Sequence, residues 1–362
     1  MSDSSQVWTK ALVQEHARAA VAVELYTLPF YLTALASITD TNHPHYQILY
    51  TVCLEEMLHV QLAANLCLAL DTQPQFTAPD YSADVPFLKP NDPATGHDQL
   101  IHAEIGPMDA TRLGTMLDIE TPEEVQPNPT HKTTPDYPYD SIQELYDALL
   151  AGIEQVGVDQ FGWNRAYQQQ LWVEEQPFSQ LVESYAAAQQ VVKVIVEQGE
   201  GSSVASKPSS SLVLADVAPL NSDYYDNKAA QGDHLQKVVL DPTQFPLAPE
   251  YRLASSFTYP AWCNLSHYGR FLLIQNDLMR QGFDPDSGEG HALFAEVYPR
   301  AEVSQDHPTN VALQQAFAAT LSNMNQLWSG QTGTIMSMIQ LLRLAQVCWK
   351  NHITPVWTPP AA

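Results

Sequence analysis

The sequence predicts an all-α fold, a helical bundle with long connections. Two long segments near the N-terminus repeat apolar residues at helical spacing, and no segment competes with the strict alternation of a half-buried strand. Helical segments follow one another without intervening strands, which argues against a sheet covered by helices. With 45% hydrophobic residues among 362, the chain can bury a substantial core, and we expect a single domain over residues 1–362.

The first predicted helix spans about residues 9–38, and the second spans about residues 46–70. In the first, Glu24 is the only acidic residue of a long apolar stretch, AVAVELYTLPFYLTALASI. This stretch contains Pro29, which has no N–H to donate to the carbonyl of Leu25, so we expect a kink about one turn beyond Glu24. The second helix is apolar on nearly every face and is therefore expected to be buried on most sides.

The later predicted helices are separated by long connections. Residues 71–139 are rich in Pro, Asp and Thr and are too long for a plain loop, so we expect them to form a cap over the bundle. Ser141 and Glu144 fit the S-x-x-E capping box at the start of the third core helix. A Ser-rich stretch indicates an inserted surface segment at 201–255. The remaining predicted helices span about residues 141–155, 178–198 and 259–281, with two C-terminal helices within 308–351.

The excess of acidic residues argues against two classes of binding partner, nucleic acids and anionic membranes. The chain has 16 Lys and Arg against 41 Asp and Glu, a net charge of -25, and such a surface repels phosphate backbones and anionic lipid head groups. No uninterrupted apolar run reaches the ~18 residues of a membrane span, and the first residues lack a secretory pattern. Four scattered cysteines indicate reduced thiols. We therefore expect a cytoplasmic protein that binds neither nucleic acid nor membranes.

A Glu-x-x-His motif, Glu56-Met57-Leu58-His59, lies on the most apolar predicted helix. Residues three apart share a helix face, so these two side chains can bind one metal ion together. Burying them among apolar residues is costly unless they are paired or bound to a metal, and this setting favours a metal site. The alternative is that Glu55 and His59, which are one turn apart, form a pair on a solvated strip.

Other acidic and imidazole side chains occupy suggestive positions, and each has a plainer explanation. Glu24 is either a ligand or a charge at the rim of the core. Glu144 is accounted for by the capping box. Glu197 and Glu200 lie one turn apart at a glycine-terminated helix end, where a solvated C-terminus explains them. His267 lies among aromatic residues in NLSHYGRF and is explained equally by a hydrogen-bonded place in the core.

Six segments between Val23 and Phe271 together resemble a known family. They are, in order, VELYTLPFYLTALASI, CLEEMLHVQLAANLCLAL, LDIETPEE, SIQELYDALLAGI, VEQGEG and SHYGRF. They resemble the ferritin-like domain of the iminophenyl-pyruvate dimer synthase type, found at the start of large enzymes of violacein and rebeccamycin biosynthesis and as stand-alone proteins. The resemblance implies a four-helix ferritin-like core with a two-metal site. The metal ligands that it implies are Glu24, Glu56, His59, Glu144, Glu200 and His267.

The sequence departs from the ferritin-like pattern in two respects. The second Glu-x-x-His motif of a standard bundle is absent, and its role would be divided between Glu200 and His267 across the inserted segment. Glu197 is a rival to Glu200 for this role. The large second half of the pigment-pathway enzymes is not present in this sequence, so their substrate is not transferred to it.

The implied donor set predicts the metal and the chemistry. Carboxylate and imidazole donors without a thiolate suit iron, with manganese as the alternative. We expect two ions and an oxygen-dependent oxidase or oxygenase, whose partners are dioxygen and a small metabolite, amino-acid derivatives being one class. The alternatives are an iron-binding or ferroxidase protein without an organic substrate and a metal-free structural bundle. The sequence is compatible with a homo-oligomer. Aromatic residues expected to line the pocket, or simply to pack in the core, are Tyr26, Phe30, Tyr31 and Tyr268.

Overall fold

The computed structural model describes most of the chain, in nine stretches. These are residues 7–85, 87–90, 100–123, 126, 129–171, 180–200, 265–280, 296–333 and 338–358. Within them the protein forms eight α-helices, a short 3₁₀ turn and isolated bridges, and it forms no β-strand. The predicted all-α fold class is confirmed. The inserted segment at 201–255 lies outside the described residues.

The helices are numbered here in chain order. They are α1 (Lys10–Ser37), α2 (Pro44–Ala69), α3 (Ala110–Ile119), α4 (Ile142–Val156), α5 (Tyr185–Gly199), α6 (His267–Arg280), α7 (Pro308–Trp328) and α8 (Met338–Lys350). Helix α1 packs against α2 and α4, and α5 packs against the same two helices, so these four close a bundle. Helix α6 lies against α2, α3 and α5, while α8 joins α7 to the outer side of α1.

Side chains at the helix starts explain where the bundle helices begin. The hydroxyl of Ser141 accepts from the backbone N–H of Glu144, as the capping box predicts. Helix α5 begins at Tyr185 because the hydroxyl of Ser184 caps it, several residues later than the expected start near residue 178. The expected helix at 259–281 is described from residue 265 onward, and its helical part begins at His267.

Helix α1 continues through Pro29 to Ser37, and the expected kink stays a prediction. Near the proline, the hydroxyl of Thr33 donates to the carbonyl of Pro29, and the hydroxyl of Tyr81 donates to the carbonyl of Tyr26. These bonds occupy main-chain carbonyls in the turn where proline interrupts the regular pattern.

The first two helices are long and apolar enough to cross a membrane, judged by length and composition alone. In this fold, 94% of the most apolar window of α1 and 83% of that of α2 are buried against the rest of the protein. Core helices of soluble proteins pass the same test, and this degree of burial accounts for the apolar sequences. The two helices therefore form the centre of the bundle, where charged side chains need a specific partner.

Candidate metal centre

The Glu-x-x-His motif points into the interior of the bundle. Glu56 and His59 are each 1% exposed, and His59 Nδ1 lies 3.9 Å from Glu56 Oε2. Their three-residue spacing puts both side chains on one face of α2. The alternative of a Glu55–His59 pair on a solvated strip is wrong, because His59 is buried and bonded to Gln198, and Glu55 bonds to His267 and Arg270.

His267, at the start of α6, faces the same carboxylate from the other side. Its Nδ1 lies 2.8 Å from Glu56 Oε1, and the ring is fully buried. The two imidazole rings lie 5.3 Å apart, centroid to centroid. Glu56, His59 and His267 each offer one ligand atom, and these three atoms lie within 4.8 Å of one another. Glu56 is thus placed to bridge two cations, with one carboxylate oxygen on the side of each imidazole.

Glu24 completes the group beside His59. Its Oε2 lies 3.6 Å from His59 Nδ1, and its Oε1 accepts a hydrogen bond of 2.8 Å from the hydroxyl of Tyr146. Glu24 lies on α1, and Tyr146 lies on α4. We call the group of Glu24, His59 and Glu56 Oε2 position one.

Glu120 completes the group beside His267. This residue follows the last turn of α3, and its Oε1 lies 3.6 Å from His267 Nδ1. The hydroxyl of Tyr31 donates to the same oxygen at 2.7 Å. We call the group of Glu120, His267 and Glu56 Oε1 position two. The two positions have the same composition, a terminal carboxylate held by a tyrosine, an imidazole, and one oxygen of the shared carboxylate.

The outer nitrogens of the two imidazoles are occupied by hydrogen-bond partners. His59 Nε2 lies 2.8 Å from Gln198 Oε1, and His267 Nε2 lies 3.0 Å from Glu55 Oε2. Both partners are acceptors, so each Nε2 donates outward and each Nδ1 is the nitrogen that faces the carboxylates. Burial lowers the pKa of His267, but its bonds to the surrounding carboxylates outweigh burial and raise that pKa. Each Nδ1 can therefore hold a proton, and a cation bound between it and the carboxylates would replace that proton.

The pKa values in this cluster are consistent with an excess of negative charge. Burial, and next the charge of Glu120, raise the pKa of Glu56 to about 7, although both histidines oppose this shift. Burial lowers the pKa of His59, but the carboxylates of Glu24 and Glu56 outweigh it and the pKa is raised. The cluster therefore holds protons more tightly than isolated side chains would, and a cation binding there would displace them.

The structure does not bring two of the proposed ligands into this cluster. The carboxylate of Glu144 accepts from the N–H of Asp140 at 2.7 Å, the hydroxyl of Thr130 at 2.5 Å and the N–H of Lys132. The carboxylate of Glu200 accepts from the N–H of Gln143 at 2.9 Å. Glu200 thus serves a free N–H of the first turn of α4, whereas Glu144 binds the segment that precedes this helix.

Glu197, the rival to Glu200, is also separate from the cluster. It lies on α5, where Oε1 is 3.5 Å from Nζ of Lys193 one turn earlier, and its side chain is 23% exposed. Exposure and an intrahelical ion pair match the explanation of a solvated helix end.

Sequence reasoning did not identify Glu120 as a ligand. Its segment, LDIETPEE, carries part of the family resemblance, but no ligand was inferred from it. The available signal was the order of these segments. It left the acidic segment LDIETPEE without a role, while the capping box already gave one to Glu144. The outer partners Glu55, Gln198 and Arg270 were also not assigned, because their roles depend on contacts between helices far apart in sequence.

Comparison with known proteins agrees with this architecture. A family described as Ferritin-like matches residues 17–226. A crystal structure of a ferritin-like protein from Caulobacter vibrioides superposes with a TM-score of 0.62 at 24% sequence identity, covering 98% of this chain and 100% of that one. This likeness bears on the fold alone. No curated protein is significantly similar in sequence.

The comparisons do not distinguish the iminophenyl-pyruvate dimer synthase type from other ferritin-like proteins, and that narrower resemblance stays a prediction. The fold and the buried group of Glu56, His59 and His267 fit a protein that holds two metal ions. Since the matched residues make up more than half of its length, the chain belongs to the ferritin-like family.

Proposed function

We propose that the protein binds two iron ions at positions one and two and uses them in an oxygen-dependent oxidation of a small organic molecule. The observation that carries this proposal is the shared carboxylate of Glu56, whose two oxygens each face the Nδ1 atom of a different buried imidazole. Glu56 and the two imidazoles alone could hold one ion, and a separate carboxylate beside each imidazole, Glu24 or Glu120, supports a pair.

The donor atoms support iron, with manganese as the alternative. Three carboxylates and two imidazoles are hard and borderline donors, and no thiolate is among them. These side chains provide fewer donor atoms than two six-coordinate ions require, so places remain for water, dioxygen or a substrate. Open places of this kind are typical of catalytic metal sites, while structural sites are closed by protein ligands.

The protein's own side chains would hold the site dry and fixed. Iron bound here would supply one-electron redox steps and reactivity toward dioxygen. Tyr31 and Tyr146 are fully buried, and burial raises the pKa of both phenols well above the usual value, so they remain protonated donors to Glu120 and Glu24. Fixed donors and exclusion of water both favour controlled oxidation over side reactions.

We also propose a cytoplasmic location, without nucleic acid or membrane partners, on the basis of the acidic composition and the burial of α1 and α2. Amino-acid derivatives are the substrate class favoured by the family resemblance, and they are the first compounds to test. Association into a homo-oligomer is compatible with this function and is open to measurement by light scattering.

Metal content tests the first half of the proposal. Metal-free protein is loaded with Fe(II) under anaerobic conditions, desalted, and analysed for iron per chain. We expect two ions for the unchanged protein and none for Glu56→Ala, because Glu56 contributes to both positions. Glu183→Ala is the matched control, since Glu183 pairs with Arg165 at the surface. Full iron content in a folded Glu56→Ala variant would refute the site.

Oxygen uptake tests the second half. The loaded protein is mixed with dioxygen, a reductant and a panel of amino-acid-derived compounds, and oxygen consumption and product formation are followed. Turnover beyond the amount of bound iron, with an oxidised organic product, supports the oxidase. Oxygen uptake that follows only the amount of added Fe(II), for every compound tested, would favour a ferroxidase instead.

A further inference from the structure

The two positions are alike in their ligands but differ in what stands behind each imidazole. His59 Nε2 donates to the neutral side-chain amide of Gln198, on α5. His267 Nε2 donates to the carboxylate of Glu55, on α2. The tyrosine bonds differ in which oxygen they use. Tyr146 donates to Oε1 of Glu24 and leaves Oε2 toward His59, whereas Tyr31 donates to Oε1 of Glu120, the oxygen nearest His267.

Glu55 is held in its charged form by a buried arginine. Arg270, one turn after His267 on α6, is fully buried and donates to Glu55 Oε1 at 2.9 Å, while the other oxygen accepts from His267. The arginine is bound to the oxygen that does not face the imidazole. It therefore offsets the charge at longer range and leaves the Glu55–His267 hydrogen bond intact.

A carboxylate behind an imidazole strengthens the opposite nitrogen as a metal ligand. The anion draws the Nε2 proton toward itself and increases electron density at Nδ1, whereas a neutral amide does so to a smaller extent. Position two therefore has the stronger imidazole donor. This difference is independent of the charge count of the ligands, which is equal for both positions.

A second contact concerns the shared carboxylate. The hydroxyl of Thr27 lies 2.7 Å from Glu56 Oε2, the oxygen that belongs to position one, and 2.8 Å from the carbonyl of Glu24. A hydroxyl that donates to Oε2 competes with a metal ion for the electron density of that oxygen. The oxygen on the side of position two, Oε1, has no such hydroxyl donor among the described residues. The Thr27 hydroxyl on the position-one oxygen of Glu56 is matched by the Tyr31 hydroxyl on the position-two oxygen of Glu120, so the partners of the two imidazoles carry the difference.

We propose that the two positions bind metal with unequal affinity and that position two, beside His267, fills first. This inference rests on the proposed two-metal site and goes beyond it by assigning Glu55 and Gln198 as positioning residues that set the order of filling. The carboxylate of Glu55 is bonded to His267, and the amide of Gln198 is bonded to His59. The order in which the two positions bind metal follows from this difference.

Isothermal titration of the metal-free full-length chain with Mn(II) tests this order. We expect two separate binding events. Removing a ligand identifies each of them, and Glu24→Gln should leave the tighter event in place while Glu120→Gln removes it. The reverse assignment, with the tighter event lost in Glu24→Gln and retained in Glu120→Gln, would overturn the proposal.

Exchanging the outer partners tests the cause. Glu55→Gln should weaken the tighter event about 10- to 100-fold, the usual effect of changing a hydrogen-bond partner of a ligating histidine. Gln198→Glu should raise the affinity of the weaker event and so reduce the difference between the two affinities. Damage to packing would lower an affinity and would not produce this increase. Glu55→Gln leaves Arg270 without its carboxylate. If that variant fails to fold, the Gln198→Glu variant still tests the proposal.

The outcomes separate this proposal from the proposed function. Two events that remain equal in the unchanged protein and in Gln198→Glu overturn the order of filling while leaving the two-metal site standing. Absence of Mn(II) binding, or full binding in a folded Glu56→Ala variant, overturns the site itself and the order with it.

Discussion

Replacing Glu144 by alanine distinguishes a buried hydrogen-bond acceptor, which holds the segment before α4, from a metal ligand. The carboxylate of Glu144 is buried and accepts from two backbone N–H groups, those of Asp140 and Lys132, and from the hydroxyl of Thr130. Alanine would leave both N–H groups without this acceptor. A buried group left unsatisfied costs about 1–3 kcal/mol. The N–H of Asp140 is buried, while that of Lys132 is partly accessible and can bind water, so we expect a loss of about 3 kcal/mol in the free energy of unfolding.

Urea unfolding of the metal-free protein, followed by circular dichroism, measures this loss, and iron content after Fe(II) loading measures ligation. We expect Glu144→Ala to unfold at lower urea with its iron content unchanged. Glu120→Gln is the matched comparison, because the amide can still accept from Tyr31 but is a poorer ligand. It should lose iron and keep its stability. A Glu144→Ala variant with normal stability and reduced iron would refute the assignment of Glu144 as a structural acceptor rather than a ligand.

Four further perturbations have outcomes that particular contacts in the structure determine. Metal affinity should rise as the pH is raised through about 7, because the raised pKa values of Glu56 and His59 let protons compete with the ion below that pH. Calorimetric titrations in two buffers of different ionisation enthalpy would detect the protons that the metal releases. Gly199→Ala places a Cβ 3.1 Å from Glu120 Oε2, so Mn(II) binding at position two should weaken about tenfold or less with helicity unchanged, and equal affinity would show that Glu120 is not held there. Gly152→Ala would bring a Cβ to 2.6 Å from the ring of Trp8 and should lower the free energy of unfolding by about 1–3 kcal/mol. Gly114→Ala, where nothing lies within 4 Å, should stabilise α3 by up to about 1 kcal/mol, and thermal melting of both variants checks the pair.

The helices and one half of the site were predictable because their signals are local. The spacing of Glu56 and His59 puts them on one face of a helix that is apolar elsewhere, and this pair is where the structure forms its cluster. The Ser141 half of the capping box is equally local and is formed, while the Glu144 carboxylate accepts from Asp140, one residue before the N-cap.

The other half of the site depends on contacts between distant segments. Glu120 reaches the cluster only because α3 packs on α6, and no periodicity in the sequence predicts that packing. His267 could be proposed from the resemblance but not from its own neighbours, since a histidine among aromatic residues has a plainer explanation. The start of α5 was placed too early because its true cap, Ser184, lies inside a stretch that was read as already helical.

The candidate ligands are spread along most of the chain, from Glu24 on α1 to His267 on α6. During synthesis on the ribosome, a nascent chain could fold its first two helices and present Glu24, Glu56 and His59 long before the second imidazole has emerged. Such an intermediate would offer only part of a binding site. Both ions can therefore bind only after synthesis has passed His267. Acquisition of the metal pair is thus a late step in the biosynthesis of the protein.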